Sequence, residues 1–105
     1  MNVGTQDVGV SITAAGTTQA TATLIINGIG WITTAPANSG VLLNFTNVGT
    51  SQTVYNGGAN PVKVYPPLGA QINALPANTG MILGTNTACT FWYLNSAQVI
   101  GNLSA

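Results

Sequence analysis

Apolar residues in this chain fall in short runs of five to nine positions, and no window sustains the 3.6-residue repeat of an amphipathic helix with caps at both ends. Where a run is regular, its period is two. Val62 and Val64 alternate with Lys63 and Tyr65, and Ala20, Ala22, Leu24 and Ile26 alternate with Thr21, Thr23 and Ile25. A period of two sends successive side chains to opposite faces of a strand. Strands are expected near 8–14, 18–26, 29–34, 40–46, 51–55, 61–65, 70–74, 80–83, 88–94 and 97–101. Many short strands with close turn spacing predict an all-β fold, read as an antiparallel β-sandwich, jelly-roll-like, of eight to ten strands.

The punctuation between the runs is Gly, Asn and Pro. In "TATLIINGIGWITT", Asn27-Gly28 has the chemistry of a two-residue type I′ hairpin, whose central positions both need φ > 0. "SQTVYNGGANPVKVY" suggests a second hairpin with a longer loop from Asn56 to Asn60, after which Pro61 opens the next strand. Pro66-Pro67 closes that strand, because neither residue can donate to a ladder. One turn is written twice: "ITTAPANSGVLL" and "INALPANTGMIL" stand 40 positions apart and share Ile32/Ile72, Pro36/Pro76, Ala37/Ala77, Asn38/Asn78, Gly40/Gly80 and Leu43/Leu83. Two copies fall short of the three a solenoid needs, so the pair is read as two similar strand–turn–strand corners within one sandwich.

Composition narrows the function classes. Apolar residues make up 46% of the 105 positions, enough for a core, while charged residues make up only 2%, against roughly a quarter in ordinary soluble domains. One Lys cannot neutralise a run of phosphates, so nucleic acid is set aside as a partner. Catalysis needs a titratable or nucleophilic group beside an activating one. The chain offers one carboxylate, Asp7, one amine, Lys63, expected to point to solvent from mid-strand, one Cys and no His. No enzyme, metal site or cofactor is expected from that inventory. "NGGAN" is Gly-rich but lacks the following helix and Lys of a phosphate cradle. Cys89, inside "ACTFWYL", is read as a small buried hydrophobe.

With a net charge of zero, little repulsion keeps copies apart, and there is almost no charge to guard a sheet edge. Self-association, or cover by a partner, is therefore expected. No basic leader and no stretch of ~20 apolar residues is visible, so no membrane partner is expected and the chain is read as made and kept in a cytoplasm. Residues 1–16 are read as an extended N-terminal arm able to add a strand to a neighbour, and 17–105 as a single domain. "FWYL" sends Phe91 and Tyr93 to one strand face and Trp92 and Leu94 to the other. One of those faces is a candidate protein contact, since Trp and Tyr are favoured anchors. The candidate interface residues are Val3, Val8, Val10, Trp31, Tyr65, Trp92 and Tyr93. Thr21 and Thr23 are read as ordinary half-exposed strand residues.

One stretch carries a family resemblance. Gly58, Ala59 and Asn60, then Val64, Tyr65 and Pro66, then Gly69, Ile72, Asn73, Leu75, Ala77 and Asn78, and finally Thr90 and Phe91 form a pattern, with "GTTQATAT" from Gly16 to Thr23 upstream. Over roughly residues 16–94 the chain resembles a small module of tailed-bacteriophage and prophage structural proteins. The resemblance implies a virion component made in the host bacterial cytoplasm. The chain runs only from Met1 to Ala105, which favours a capsid decoration (cement) protein on the outside of the head over a longer tail or fibre protein. Such a protein is expected to form a homo-oligomer, a trimer, and to stabilise the shell across junctions of the major capsid protein. The alternative is a tail or fibre domain that binds a host-surface glycan through Trp31, Trp92, Tyr55 or Tyr65 and Asn side chains.

Overall fold

A computed structural model describes residues 8–44 and 48–103. The described residues are all β, with no helix, and so with none long and apolar enough to cross a membrane. Ten strands occupy the ten expected runs: β1 (Val8–Thr13), β2 (Thr23–Leu24), β3 (Ile29–Thr34), β4 (Gly40–Leu42), β5 (Ser51–Asn56), β6 (Val62–Tyr65), β7 (Gln71–Ile72), β8 (Met81–Leu83), β9 (Thr87–Asn95) and β10 (Gln98–Leu103). They build a six-stranded sheet, in the order β1-β3-β5-β9-β10-β7, and a four-stranded sheet, in the order β2-β4-β6-β8.

The connectivity overturns the antiparallel jelly-roll expectation. From β1 to β6 the chain alternates between the two sheets, so spatial neighbours within a sheet are two elements apart and run the same way. β1–β3, β3–β5, β2–β4 and β4–β6 are all parallel pairs. This is the winding of a β-solenoid, in which the strand of the opposite sheet serves as the crossover that parallel pairing requires. After β6 the direction reverses. β8 runs antiparallel to β6, β9 antiparallel to β5, and β10 returns along β9 as a tight hairpin.

The two expected hairpins are corners between the sheets. Asn27-Gly28 joins β2 to β3, and neither residue has a positive φ. The carbonyls a hairpin would turn inward are taken by β5: Gln52 Nε2 donates to Asn27 O at 2.9 Å, and the Thr53 N–H donates to Gly28 O at 2.9 Å. The Asn56–Asn60 loop is a corner of the same kind, leading from β5 to β6. It is organised by buried Asn56, whose amide donates to Asn60 O and Leu83 O while its Oδ1 accepts from the Gly58 N–H.

The repeated Pro-Ala-Asn turns, in contrast, are alike in structure as well as sequence. Asn38 and Asn78 have φ of 62° and 64°, and the Ser39 and Thr79 N–H groups each donate to the Pro three residues earlier, both at 3.2 Å. Each turn carries the chain from a six-stranded-sheet strand, β3 or β7, to a four-stranded-sheet strand, β4 or β8. The matched Ile32/Ile72 and Leu43/Leu83 are all buried. Both copies then flank β6, one on each side. The repeat is a half-coil of the winding.

Between the sheets lies one core, with Ile25, Ile32, Val41, Leu43, Val54, Val62, Val64, Ile72, Leu83, Phe91 and Val99 at its centre. The strand expected over 18–26 shrinks to Thr23–Leu24. Residues 18–22 form a turn in which Thr18 O accepts from the Thr21 and Ala22 N–H groups, so Thr21 and Thr23 do not share a strand face. Of the arm read over 1–16, Val8–Thr13 is edge strand β1 of the larger sheet, and residues 1–7 lie outside the described residues.

Candidate interaction surface

The inward face of the six-stranded sheet builds the core, so its alternate residues face outward. On β5 the inward set is Gln52, Val54 and Asn56, all buried, and the outward set is Ser51, Thr53 and Tyr55. The registers extend that outward set across the sheet. Trp31 pairs with Tyr55 and Tyr55 with Ala88; Ile29 pairs with Thr53 and Thr53 with Thr90; Ser51 pairs with Trp92 and Trp92 with Ile100. Val8, which pairs with Ile29, and Val10 extend the surface onto β1. The result is an apolar surface with Trp31 45% and Trp92 46% exposed, and with Val8, Val10, Leu94 and Ile100 also open. At its middle the Thr53 and Thr90 hydroxyls share one hydrogen bond of 3.0 Å. No described residue on this surface is charged.

The sequence-derived interface residues divide on this geometry. Val8, Val10, Trp31 and Trp92 come together on the outward face. Trp92 and Leu94 point outward and Phe91 inward, as the alternation of "FWYL" predicts. Tyr93 is half-buried and packs against the core. Val3 lies outside the described residues.

Tyr65 is a correction. It is 6% exposed and belongs to the fold. Its ring lies beside Gly40 and Gly80, the two glycines of the repeated turn, where a Cβ would meet the ring at 2.8 and 3.0 Å respectively. Its hydroxyl donates to Thr17 O at 3.2 Å, so the 16–22 segment closes over it. The alternating pattern of β6 correctly put Tyr65 on the side away from Val64. It carried no sign that a distant turn would cover that side.

Tyr55, named in sequence only for the glycan alternative, is the aromatic neighbour that completes the surface. A Cβ on Gly57 would come within 3.0 Å of Trp31 Nε1 and 3.2 Å of Tyr55 Cε2, so both rings gather at that glycine.

The opposite sheet is different. Its outward side carries Leu24 and Ile82, both exposed, and Lys63, which points to solvent as expected. A groove of about 240 Å3 lies there, lined by residues that include Asn38, Asn60, Lys63 and Ile82. Among the described residues no buried side-chain polar atom lacks a hydrogen-bond partner, so none is left aimed into this groove. Cys89 is buried, and burial pushes its thiol up to about 11, which keeps it protonated and non-nucleophilic at neutral pH. Compared with known proteins, the chain matches no family model, no curated protein and no solved structure.

Proposed function

We propose that this protein is a non-enzymatic structural component of a bacteriophage virion, a decoration (cement) protein made in the host cytoplasm and assembled on the outer surface of the head. The observation that carries the reading is the uncharged aromatic face of the six-stranded sheet, with Trp31 and Trp92 each nearly half exposed. Exposed apolar surface of this kind, on a chain with a net charge of zero, marks a contact with other subunits. Apolar area hidden at such a contact contributes ~25 cal/mol per Å2, so a few hundred Å2 per copy offsets several kcal/mol of assembly cost. The family resemblance over residues 16–94 supplies the virion setting. The protein acts as a homo-oligomer that reinforces the shell across junctions of the major capsid protein.

A second reading has one specific support. Trp31 and Tyr55 are register neighbours with their rings gathered at Gly57, an arrangement on which a sugar ring of a host glycan stacks. Electron microscopy of particles containing this chain separates the two. Many copies distributed over the head support decoration, and a few copies at the tail overturn it in favour of recognition.

A further inference from the structure

We infer that the neighbour covering the aromatic face is a second copy of this chain, docked face to face about a two-fold axis that lies in the face along the row Ile29–Thr53–Thr90. This rests on the reading of that face as an assembly contact and names its occupant.

The inference comes from how large and small residues are distributed. On one side of the Ile29–Thr53–Thr90 row lies the row Trp31–Tyr55–Ala88, and on the other side lies Ser51–Trp92–Ile100. The proposed axis exchanges these two outer rows between copies. Tyr55 of one copy then falls on Ser51 of the other, and Trp92 falls on Ala88. Trp31 falls at the foot of β3, on the Asn27-Gly28 corner. That corner borders a hollow of about 180 Å3, lined by residues that include Asn27, Gly28, Thr50 and Ser51. Each large ring thus meets a small side chain or a hollow, which isologous contact requires of a self-complementary patch. An axis along the strands does worse, because it sets Tyr55 on Tyr55.

The middle row suits burial. Its hydroxyls at Thr53 and Thr90 already bond to each other, so hiding them leaves neither without a partner. Face-to-face contact between identical surfaces doubles any charge present, and the described residues of this face have none to double. Five strands at the usual spacing and five residues of rise give a patch of roughly 400 Å2 per copy, or roughly 800 Å2 in total. That is below the range of stable interfaces and within that of transient ones, so the dimer forms in a concentration-dependent way, with a micromolar or weaker Kd. The two-fold also replaces the expected trimer, which cannot close through one isologous face. It leaves the four-stranded sheets of the two copies, with Leu24, Lys63 and Ile82, on the two opposite outer sides of the dimer.

The two tryptophans of the chain both lie on this face, so intrinsic fluorescence reports its burial without a label. The purified full-length chain is followed by sedimentation velocity and Trp emission across concentrations that bracket that Kd. A monomer–dimer equilibrium with a blue shift on association is expected. Ala88→Arg and Ser51→Arg add outward-pointing charges opposite Trp92 and Tyr55, and each raises the Kd at least about tenfold. Ile82→Arg, on the opposite sheet, leaves the Kd unchanged. Near-wild-type thermal melts show that the variants are folded. A species that stays monomeric at the highest concentration, a trimer, or dimerisation that survives both face variants overturns the inference. Particle binding is read separately. Dimers with no affinity for any particle keep this inference and remove the virion role; monomers that bind particles do the reverse.

Discussion

Asn56 shows how one buried polar side chain holds a corner of this fold. It is fully buried, and its amide group makes three hydrogen bonds, to Asn60 O, Leu83 O and the Gly58 N–H. Replacing it with Ala leaves those backbone groups without partners in a place water does not reach, so Asn56→Ala is expected to destabilise the fold by about 3 kcal/mol. A urea titration checks this, and an unchanged midpoint would remove the corner role. Gln52 acts similarly at the next corner, accepting from the Asn44 N–H at 2.7 Å and donating to Ile25 O and Asn27 O. At the residue scale the sequence was partly legible. Asn38 and Asn78 were read as turn residues and both take the left-handed conformation. Gln52 was read only as a position within the strand near 51–55, and Asn56 as the first residue of a loop. Their burial depends on partners 25 to 27 positions away, which a local pattern does not report.

At the scale of elements, the repeated half-coil brings two glycines against one tyrosine. A Cβ on Gly40 would sit 2.8 Å from the Tyr65 ring and 2.9 Å from the Lys63 backbone carbonyl, which cannot move without disturbing the β4–β6 ladder. Gly40→Ala is therefore expected to cost about 1–3 kcal/mol through overpacking. Gly84→Ala, where the nearest atom is 3.9 Å away, is expected to lie within about 0.5 kcal/mol of wild type. Thermal melts of the two variants test the contrast; equal losses would count against the Tyr65 packing. The positions of the strands were legible because alternation and Gly, Asn and Pro punctuation are local. The pairing of the strands was not. Asn27-Gly28 suits a hairpin and a sheet-to-sheet corner equally in sequence, and the choice is made by β5, which takes the two carbonyls.

For the whole molecule, the deficit of charge predicts how its contacts respond to solvent. Screening acts on ion pairs, and the described residues offer only Lys63 to make one. Self-association and particle occupancy are expected to change less than about twofold between low and high NaCl, and to rise in sulfate, which strengthens apolar burial. A steep loss with added NaCl, measured by sedimentation, would show that ion pairs hold the contact. The edges of the sheets agree with this picture. β2, β7 and β8 are edges of only two or three residues, whereas β1 offers six, bent by the irregular register between Gly9 and Ile12 and by Ser11 at φ 61°. Short or bent edges restrain unwanted strand addition where Lys is not used.

By itself the sequence determined that the chain is all β, where its strands run, which residues turn the repeated corners and that its surface has little charge. These properties follow from period, turn chemistry and composition, each readable within a few positions. Only the tertiary structure decided that successive strands alternate between sheets, making a solenoid winding where a jelly roll was expected. It also buried Tyr65 under the 16–22 turn and gathered Trp31, Tyr55 and Trp92 on one face. The physical reason is the same in each case: a strand's two faces are fixed by its own alternation, but what covers each face is fixed by residues distant in sequence.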